Sequence, residues 1–198
     1  ELAVQAVKMS YVGKAFIPFC MLLFVMEYCK VRLPNLVKTM LSIMHFTVMF
    51  LVLTCEYNTL YYTDIRFVDS GLFPHLVKGH GVVYNFYNCI VGGYLLLMIV
   101  VCTYRYLHAK NDMERRRILG LLIIPAVMLV GFIAVVTGRT YGYDTTMVSY
   151  LISSVILAIS LHYGKILDTM SIARDMAMDE QSDGLIVLDS EDNIIYYN

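Results

Sequence analysis

Polar and aromatic side chains are concentrated in one connection of this otherwise apolar chain, between about Cys55 and Gly81, and in the residues just after it. Aromatic rings can form the walls of a ligand pocket, while carboxylate, imidazole and amide groups can orient a ligand. The candidate ligand-binding residues are Glu56, Tyr61, Tyr62, His80, Tyr84, Asn85 and Asn88.

Two interpretations of this cluster are open. The first is a lid and pocket at the ends of helices, and the second is a belt of tyrosines at the level of the lipid headgroups. Because a connection of about 25 residues is longer than joining two helices requires, the pocket carries as much weight as the belt.

No residue pattern typical of catalysis occurs in the sequence. It has no glycine-rich phosphate loop, no HExxH, no GxSxG and no cysteine–histidine pair at ligand spacing. His75 and His80 lie five residues apart without an evident third ligand for zinc. We therefore predict that this chain is not an enzyme and that it holds neither a metal nor a cofactor.

His45 is the candidate polar residue within the membrane, because it lies inside a hydrophobic stretch where an ionisable side chain suggests function. A neutral imidazole bonded to another helix is the favoured interpretation. For the cysteines, buried free thiols are favoured over a Cys55–Cys89 disulfide, since no disulfide-scaffold spacing is present. They are Cys20, Cys29, Cys55, Cys89 and Cys102.

The composition indicates the elements that position these residues. Of 198 residues, 59% are hydrophobic and 16% charged, which is typical of a membrane protein. A span needs about 20 apolar residues, and five stretches qualify or nearly do. They are 15–33, 37–55, 82–104, 118–137 and 146–163. Residues 1–14 are interpreted as the tail of a preceding helix, and the net charge of −1 predicts no nucleic-acid partner.

The distribution of Lys and Arg predicts the orientation of the bundle, residues 15–163. If the C-terminal tail is cytoplasmic, ten of the 15 basic residues lie inside and five outside. The 113–117 loop, MERRR, is then cytoplasmic and the connection from about Cys55 to Gly81 faces outward.

Two segments after the bundle read as a linker and a soluble module. Residues 164–181 form a predicted linker helix, in which Ile166, Met170, Ala173 and Ala177 recur at the spacing of a seam between two paired helices. A plain surface helix is the alternative. Residues 182–198 contain two strand-forming runs around a turn. Because a hairpin alone is marginally stable, further strands are expected beyond Asn198, and the initial Glu1 suggests residues upstream.

Several fragments together resemble a known family. They are YVGKAFIPFCMLLFVMEYC, YYTDIRFVDSGLFPHLVKGHGVVY, RRRILGLLIIPAVMLVGFI and HYGKILDTMSIARDMAMDEQSDGLIVLDSEDNIIYYN. The chain resembles the N-terminal seven-helix sensor region of bacterial membrane histidine kinases and related diguanylate cyclases. The resemblance implies a bundle whose N-terminus is outside, followed by a linker helix, a cytoplasmic PAS domain and a kinase or cyclase module.

The resulting expectation is an all-α transmembrane helix bundle with five of seven spans, then the linker helix and the first β-hairpin of an α/β PAS domain. Such a chain would sit in a bacterial plasma membrane and respond to an unidentified small-molecule or membrane cue. It would pair with a second copy through the linker helix. The alternative is a small membrane transporter or its subunit, although the sequence shows no paired broken helices in corresponding halves.

Overall fold

The computed structural model describes residues 2–69, 74–109, 112–140, 143–163, 186–188 and 194–197. The helices are α1 (Leu2–Lys14), α2 (Ile17–Tyr28), α3 (Asn35–Leu53), α4 (Val82–Leu107), α5 (Asp112–Val136) and α6 (Thr145–Tyr163). The strands are β1 (Tyr62–Val68), β2 (His75–His80), β3 (Ile186–Leu188) and β4 (Ile194–Tyr197).

Four helical segments are long and apolar enough to cross a membrane. They are Leu2–Tyr28, Asn35–Leu53, Val82–Leu107 and Glu114–Val136. The fifth predicted span, 146–163, corresponds to α6, whose apolar part, Thr145–Leu161, is shorter than these four. The described part of the chain is therefore mostly helical, with four candidate spans.

The first candidate span differs from the prediction for 15–33. Its helical segment begins at Leu2 and ends at Tyr28, and α1 and α2 are separated only by Ala15 and Phe16. Residues 1–14 were predicted to be the tail of a preceding helix rather than part of this span. Within it, Lys8 and Lys14 form ion pairs with Glu56 and Asp144, and their side chains are only 10% and 12% exposed, so the candidate span accommodates both charges.

The interruption between α1 and α2 has a local cause. Pro18 has no N–H to donate to the carbonyl of Lys14, and the chain tightens so that the Phe16 N–H bonds the Gly13 carbonyl at 3.0 Å. The Tyr87 hydroxyl donates to the carbonyl of Ala15 at 3.0 Å. A side chain from α4 therefore satisfies a backbone group at the break.

The helices pack around α4 and α5. Helix α4 contacts α2 and α5, α5 contacts α6, and α1 contacts α3. Leu95 and Met98 of α4 and Leu121 and Met128 of α5 are fully buried. Helix α3 is peripheral, and its exposed Phe46 and Phe50 suit contact with lipid.

Strands β1 and β2 form an antiparallel hairpin in the connection between α3 and α4. Tyr62 lies opposite His80 and Val68 opposite His75, with an irregularity in register between Tyr62 and Ile65. A lid was one of the two interpretations of this connection, and strands were not predicted in it. We call the end of the bundle that carries this β1–β2 pair, together with the start of α4, the end of α5 and the start of α6, the hairpin end.

The C-terminal strands also pair. Ile186 lies opposite Tyr197 and Val187 opposite Tyr196 in an antiparallel arrangement. Both strands fall in the region 182–198, where strand-forming runs were predicted, and their assignment to a PAS domain remains a prediction. The predicted linker helix, 164–181, lies outside the described residues.

Candidate functional site

A cavity of about 240 Å³ lies at the hairpin end. Segments far apart in sequence meet there: the end of α1, the hairpin, the start of α4 and the junction between α5 and α6. The residues that line it are Tyr11, Lys14, Ala15, Tyr61, Tyr62, Leu76, Val77, Lys78, His80, Tyr84, Tyr87, Asn88, Val91, Phe132, Val135, Val136, Gly138, Thr140, Tyr143, Asp144, Thr146 and Tyr150.

Asp144 organises the charges in this cavity. Its carboxylate accepts hydrogen bonds from the Lys14 ammonium and the Thr146 hydroxyl. The Lys78 ammonium lies 3.8 Å from the same carboxylate oxygen that bonds Lys14. Burial alone would raise the pKa of Asp144, but the charge and hydrogen bond of Lys14, with Thr146 and Lys78, outweigh it and lower that pKa. The carboxylate is therefore ionised at neutral pH.

Lys78 is held less tightly than Lys14. Burial, and then the nearby charge of Lys14, lower its pKa, while Asp144 opposes the shift. Its ammonium lies 5.6 Å from the centre of the Tyr62 ring. The ring and the carboxylate together stabilise a cation on the inner side of β2.

Three tyrosines, one of them on α1, form a hydrogen-bonded group. The Tyr62 hydroxyl donates to the Tyr11 hydroxyl at 2.7 Å, and the hydroxyls of Tyr11 and Tyr61 are 3.3 Å apart. The rings of Tyr61 and Tyr62 meet edge to face at 4.9 Å. Burial raises the pKa of Tyr61 and of Tyr62, so both phenols stay neutral and able to donate.

His80, at the end of β2, packs against Tyr84 near the start of α4. The two rings stack at 4.0 Å with an interplanar angle of 8°. Burial, and then the positive charge of Lys78, lower the pKa of His80, so its imidazole is neutral at pH 7. The pair forms a flat uncharged wall.

The structure brings together five of the seven candidate ligand-binding residues. Tyr61, Tyr62, His80, Tyr84 and Asn88 line the cavity.

Glu56 and Asn85 lie elsewhere. Glu56 forms an ion pair of 3.0 Å with Lys8, and Asn85 is exposed. Because Tyr84, Asn88 and Val91 recur at helical spacing on one face of α4, the adjacent position 85 points away from the cavity.

Sequence reasoning missed Tyr11, Lys14, Lys78 and Asp144. Lys14 carried a usable signal, since a lysine within an apolar helix is rarely without a partner. Nothing in the sequence identified that partner, because Asp144 is 130 positions away.

His45 of α3 is not among the residues that line the cavity, and it is fully buried. Its Nδ1 is 3.4 Å from the Tyr87 hydroxyl and its Nε2 is 3.3 Å from the Tyr94 hydroxyl, both on α4. Since Tyr87 donates its proton to the Ala15 carbonyl, the assignment that satisfies all groups is a neutral imidazole that donates from Nδ1 and accepts from Tyr94 at Nε2. The Phe19 ring stacks on the imidazole at 5.0 Å.

The other candidate sites for chemistry are not assembled in the described part of the chain. No group of three or more His, Cys, Asp or Glu side chains there could hold a metal ion. His75 packs against the Tyr143 ring at 4.4 Å. All five cysteines are free: Cys29 and Cys102 are buried, Cys55 is half-buried, and Cys20 and Cys89 are exposed on their helices.

Comparison with known proteins gives one family. A family model described as the N-terminal 7TM region of histidine kinase matches residues 1–170. No curated protein and no solved structure matches the chain. The match includes every residue of the hairpin-end cavity.

Proposed function

Since the chain belongs to the family of N-terminal 7TM regions of histidine kinases, a membrane sensor input region, we propose that its cue binds in the hairpin-end cavity. The observation that carries this proposal is that several separate segments of the chain together form the walls of the cavity. A molecule in it would contact α1, the hairpin, α4 and the α5–α6 junction at once. Any shift among these elements would change the binding free energy, as a sensor requires.

Tyr87 lines the cavity and connects it to other helices of the bundle. Its hydroxyl holds the Ala15 carbonyl at the break in the first span and also lies against His45 of α3. Movement of Tyr87 would therefore act on two other helices. We propose that this contact transmits occupancy of the cavity to the membrane helices.

The orientation of the molecule is part of the proposal. With the C-terminal tail in the cytoplasm, the hairpin end faces outward and ten of 15 basic residues lie inside. The linker region, 164–181, would then pair in a homodimer and lead into a PAS domain that begins at about residue 182. A kinase or diguanylate cyclase module would receive the signal, in the plasma membrane of a bacterium.

A small transporter remains the alternative function. The interrupted helix at Ala15 and Phe16, beside the buried Lys14, favours it, because transporters bind substrates at discontinuous helices. The reading frame after Asn198 separates the two functions. An output module supports the sensor, and a further membrane span or a stop codon supports the transporter.

A cavity-filling substitution tests the sensor site directly. Val91 is buried in the cavity wall, whereas Val130 on α5 is exposed on the outside of the bundle. In the full-length kinase in native membranes, Val91→Phe should shift the autophosphorylation rate several-fold, because it occupies the ligand space. The matched Val130→Phe variant should leave the rate unchanged. A correctly inserted Val91→Phe protein with the wild-type rate would contradict the proposal.

A further inference from the structure

The cavity carries an excess of one positive charge. Among its lining residues, Lys14 and Lys78 supply two ammonium groups and Asp144 supplies one carboxylate. The remaining titratable side chains that line the cavity are tyrosines and His80. The imidazole of His80 stacks on the Tyr84 ring, and both are uncharged. An enclosed charge without full compensation favours a counter-ion of opposite sign.

Lys78 is the cation with capacity for a further partner. Asp144 is engaged directly by Lys14 and Thr146, whereas Lys78 lies 3.8 Å from it, at the outer limit of an ion pair. An ammonium carries three donors, so Lys78 can bind an additional acceptor. Its side chain is 16% exposed, and at this degree of burial charges interact more strongly than in bulk water.

The walls around Lys78 suit an apolar or aromatic body. Val91 and Phe132 line the same cavity as Lys78, and so do the stacked rings of His80 and Tyr84. The volume of about 240 Å³ lies below the roughly 300–1,000 Å³ of sites for drug-sized molecules, so the occupant is small.

We propose that the hairpin-end cavity binds a small monocarboxylate with an apolar or aromatic body, whose carboxylate contacts the Lys78 ammonium. One negative charge matches the single excess positive charge. A dianion such as a phosphate monoester would leave a buried negative charge without a partner. A cation would face Lys14 and Lys78 and would have to compete with both for Asp144. This inference rests on the proposed function and specifies the class of its ligand.

Two sources could supply such an acid: the aqueous phase, as an aromatic acid, or the bilayer, as a fatty acid. Binding would be measured by equilibrium dialysis with the complete protein in lipid nanodiscs. The probes are radiolabelled benzoate and phenylacetate for the first source and laurate for the second. Benzamide and benzylamine are the neutral and cationic controls.

The expected result is saturable binding of at least one carboxylate at one site per chain, with benzamide and benzylamine bound much more weakly. Binding of benzoate or phenylacetate assigns the ligand to the aqueous source. Selective binding of laurate assigns it to the bilayer and supports the same carboxylate chemistry.

Variants of Lys78 test its role. Lys78→Met should weaken carboxylate binding about tenfold or more, since it removes a charge partner in a desolvated site. Lys78→Arg should retain most of the affinity. The control is Arg66→Met, on the same hairpin but with a side chain 79% exposed and outside the cavity. It should bind as the wild type does, and thermal unfolding would verify that each variant folds.

The inference is overturned if benzamide or benzylamine binds as tightly as the acids, if no probe acid binds, or if Lys78→Met binds like the wild type. The Val91→Phe experiment separates this failure from failure of the sensor site. A shifted kinase rate in Val91→Phe together with no carboxylate binding would reject the ligand class alone. An unchanged rate would reject the site itself.

Discussion

Asp144 is the residue on which the charges of the cavity depend most. It sits between two lysines from different segments, Lys14 on α1 and Lys78 on β2. Removal of its charge would leave the Lys14 side chain, which is 12% exposed, without its counter-ion. Because the Asp144 side chain is 32% exposed, the cost should fall below the roughly 3–5 kcal/mol typical of a fully buried pair.

Asp144→Asn should therefore lower the free energy of unfolding by on the order of 1–3 kcal/mol. The measurement is thermal unfolding in nanodiscs, followed by near-ultraviolet circular dichroism of the tyrosines. Asp64→Asn, on the exposed face of β1, is the control and should change little. An unchanged midpoint in Asp144→Asn would show that the ion pair adds nothing to stability.

The pH dependence of stability follows from the ionisation of the Asp144 carboxylate. Its pKa is lower in the folded protein than the roughly 3.9 expected when unfolded. The stabilisation is therefore fully present above about pH 4 and is lost as the pH falls through the folded pKa. Thermal midpoints between pH 7 and 3 should drop in the wild type at the acid end. The drop should be smaller in Asp144→Asn, and equal acid slopes would contradict the assignment.

His45 connects α3 to two tyrosines of α4, and its role can be separated from that of the cavity. His45→Phe fills a similar space and keeps the ring stack with Phe19 but removes both hydrogen bonds. In the full-length protein, we expect it to leave cavity binding nearly unchanged and to alter the rate of the proposed output module, which is autophosphorylation in a kinase. If the rate stays the same while Tyr87 and Tyr94 lose their partner, the imidazole serves packing alone.

At the residue scale, the sequence allowed prediction of the part of the site that is local. Tyr61, Tyr62, His80, Tyr84 and Asn88 lie within one connection and the helix turn after it, so their clustering is visible in the sequence. The ion pair of Lys14 with Asp144 joins positions 130 apart. Such a contact depends on how helices pack, which periodicity and composition do not specify.

Among the elements, the hairpin is anchored at its junction with α4. The Gly81 N–H donates to the Tyr61 carbonyl at 2.9 Å, and the Val83 N–H to the Leu60 carbonyl at 3.1 Å. A Cβ at position 81 would overlap the backbone of Leu60 and Thr59, which cannot yield as a side chain can. Glycine is therefore required at 81 by close backbone approach.

Gly81→Ala should destabilise the hairpin by about 1–3 kcal/mol, in the range of an overpacked site. Limited proteolysis within 60–80 is the measurement, and cleavage should accelerate. Gly93→Ala is the matched control, because a Cβ at position 93 meets nothing within 4 Å. Equal cleavage rates in the two variants would contradict the proposed close contact.

Elements could be predicted where the apolar run was long, as for α3, α4 and α5. The strands of the hairpin could not be predicted, because apolar and polar residues alternate poorly in the segment TDIRFV of β1. Its pairing depends on β2 and on the packing of Tyr61 and Tyr62 against Tyr11. Residues 1–14 were predicted to be the tail of a preceding helix, whereas α1 and α2 together form one candidate span, Leu2–Tyr28.

The linker helix, 164–181, lies outside the described residues and remains a prediction. One inserted residue rotates everything after it by about 100°, whereas seven residues nearly restore the phase of a coiled coil. In the full-length protein, one Ala inserted after Asp175 should lock or abolish the response, and a seven-residue insertion should largely preserve it. Output that falls smoothly with inserted length, regardless of phase, would show a passive tether.

For the whole molecule, the orientation in the membrane can be tested by labelling. A cysteine at Asn111, in a Cys-free parent, should react with an impermeant thiol reagent only after lysis, because the adjacent basic residues, which the sequence suggested were a loop and which lie at the start of α5, are expected inside. A cysteine at Ser70 should react in intact cells. Both positions lie outside the described residues. The reverse pattern would place the hairpin end in the cytoplasm.

The central claim is that occupancy of the hairpin-end cavity, proposed to face outward, controls the proposed kinase or cyclase module. Val77 lines the cavity and is 40% exposed, so a cysteine there is accessible to a reagent. Phe67, on the paired strand, is 61% exposed and lies outside the cavity. Cysteine at either position in a Cys-free full-length protein can be modified from outside with an impermeant methanethiosulfonate.

The decisive measurement is the autophosphorylation rate before and after this modification. Labelling of Val77→Cys should change the rate by about fivefold or more, which is the scale of allosteric coupling, and a reducing agent should reverse the change. Labelling of Phe67→Cys should have no effect. Complete labelling of Val77→Cys with an unchanged rate, or an equal change in Phe67→Cys, would contradict control of the kinase by the cavity.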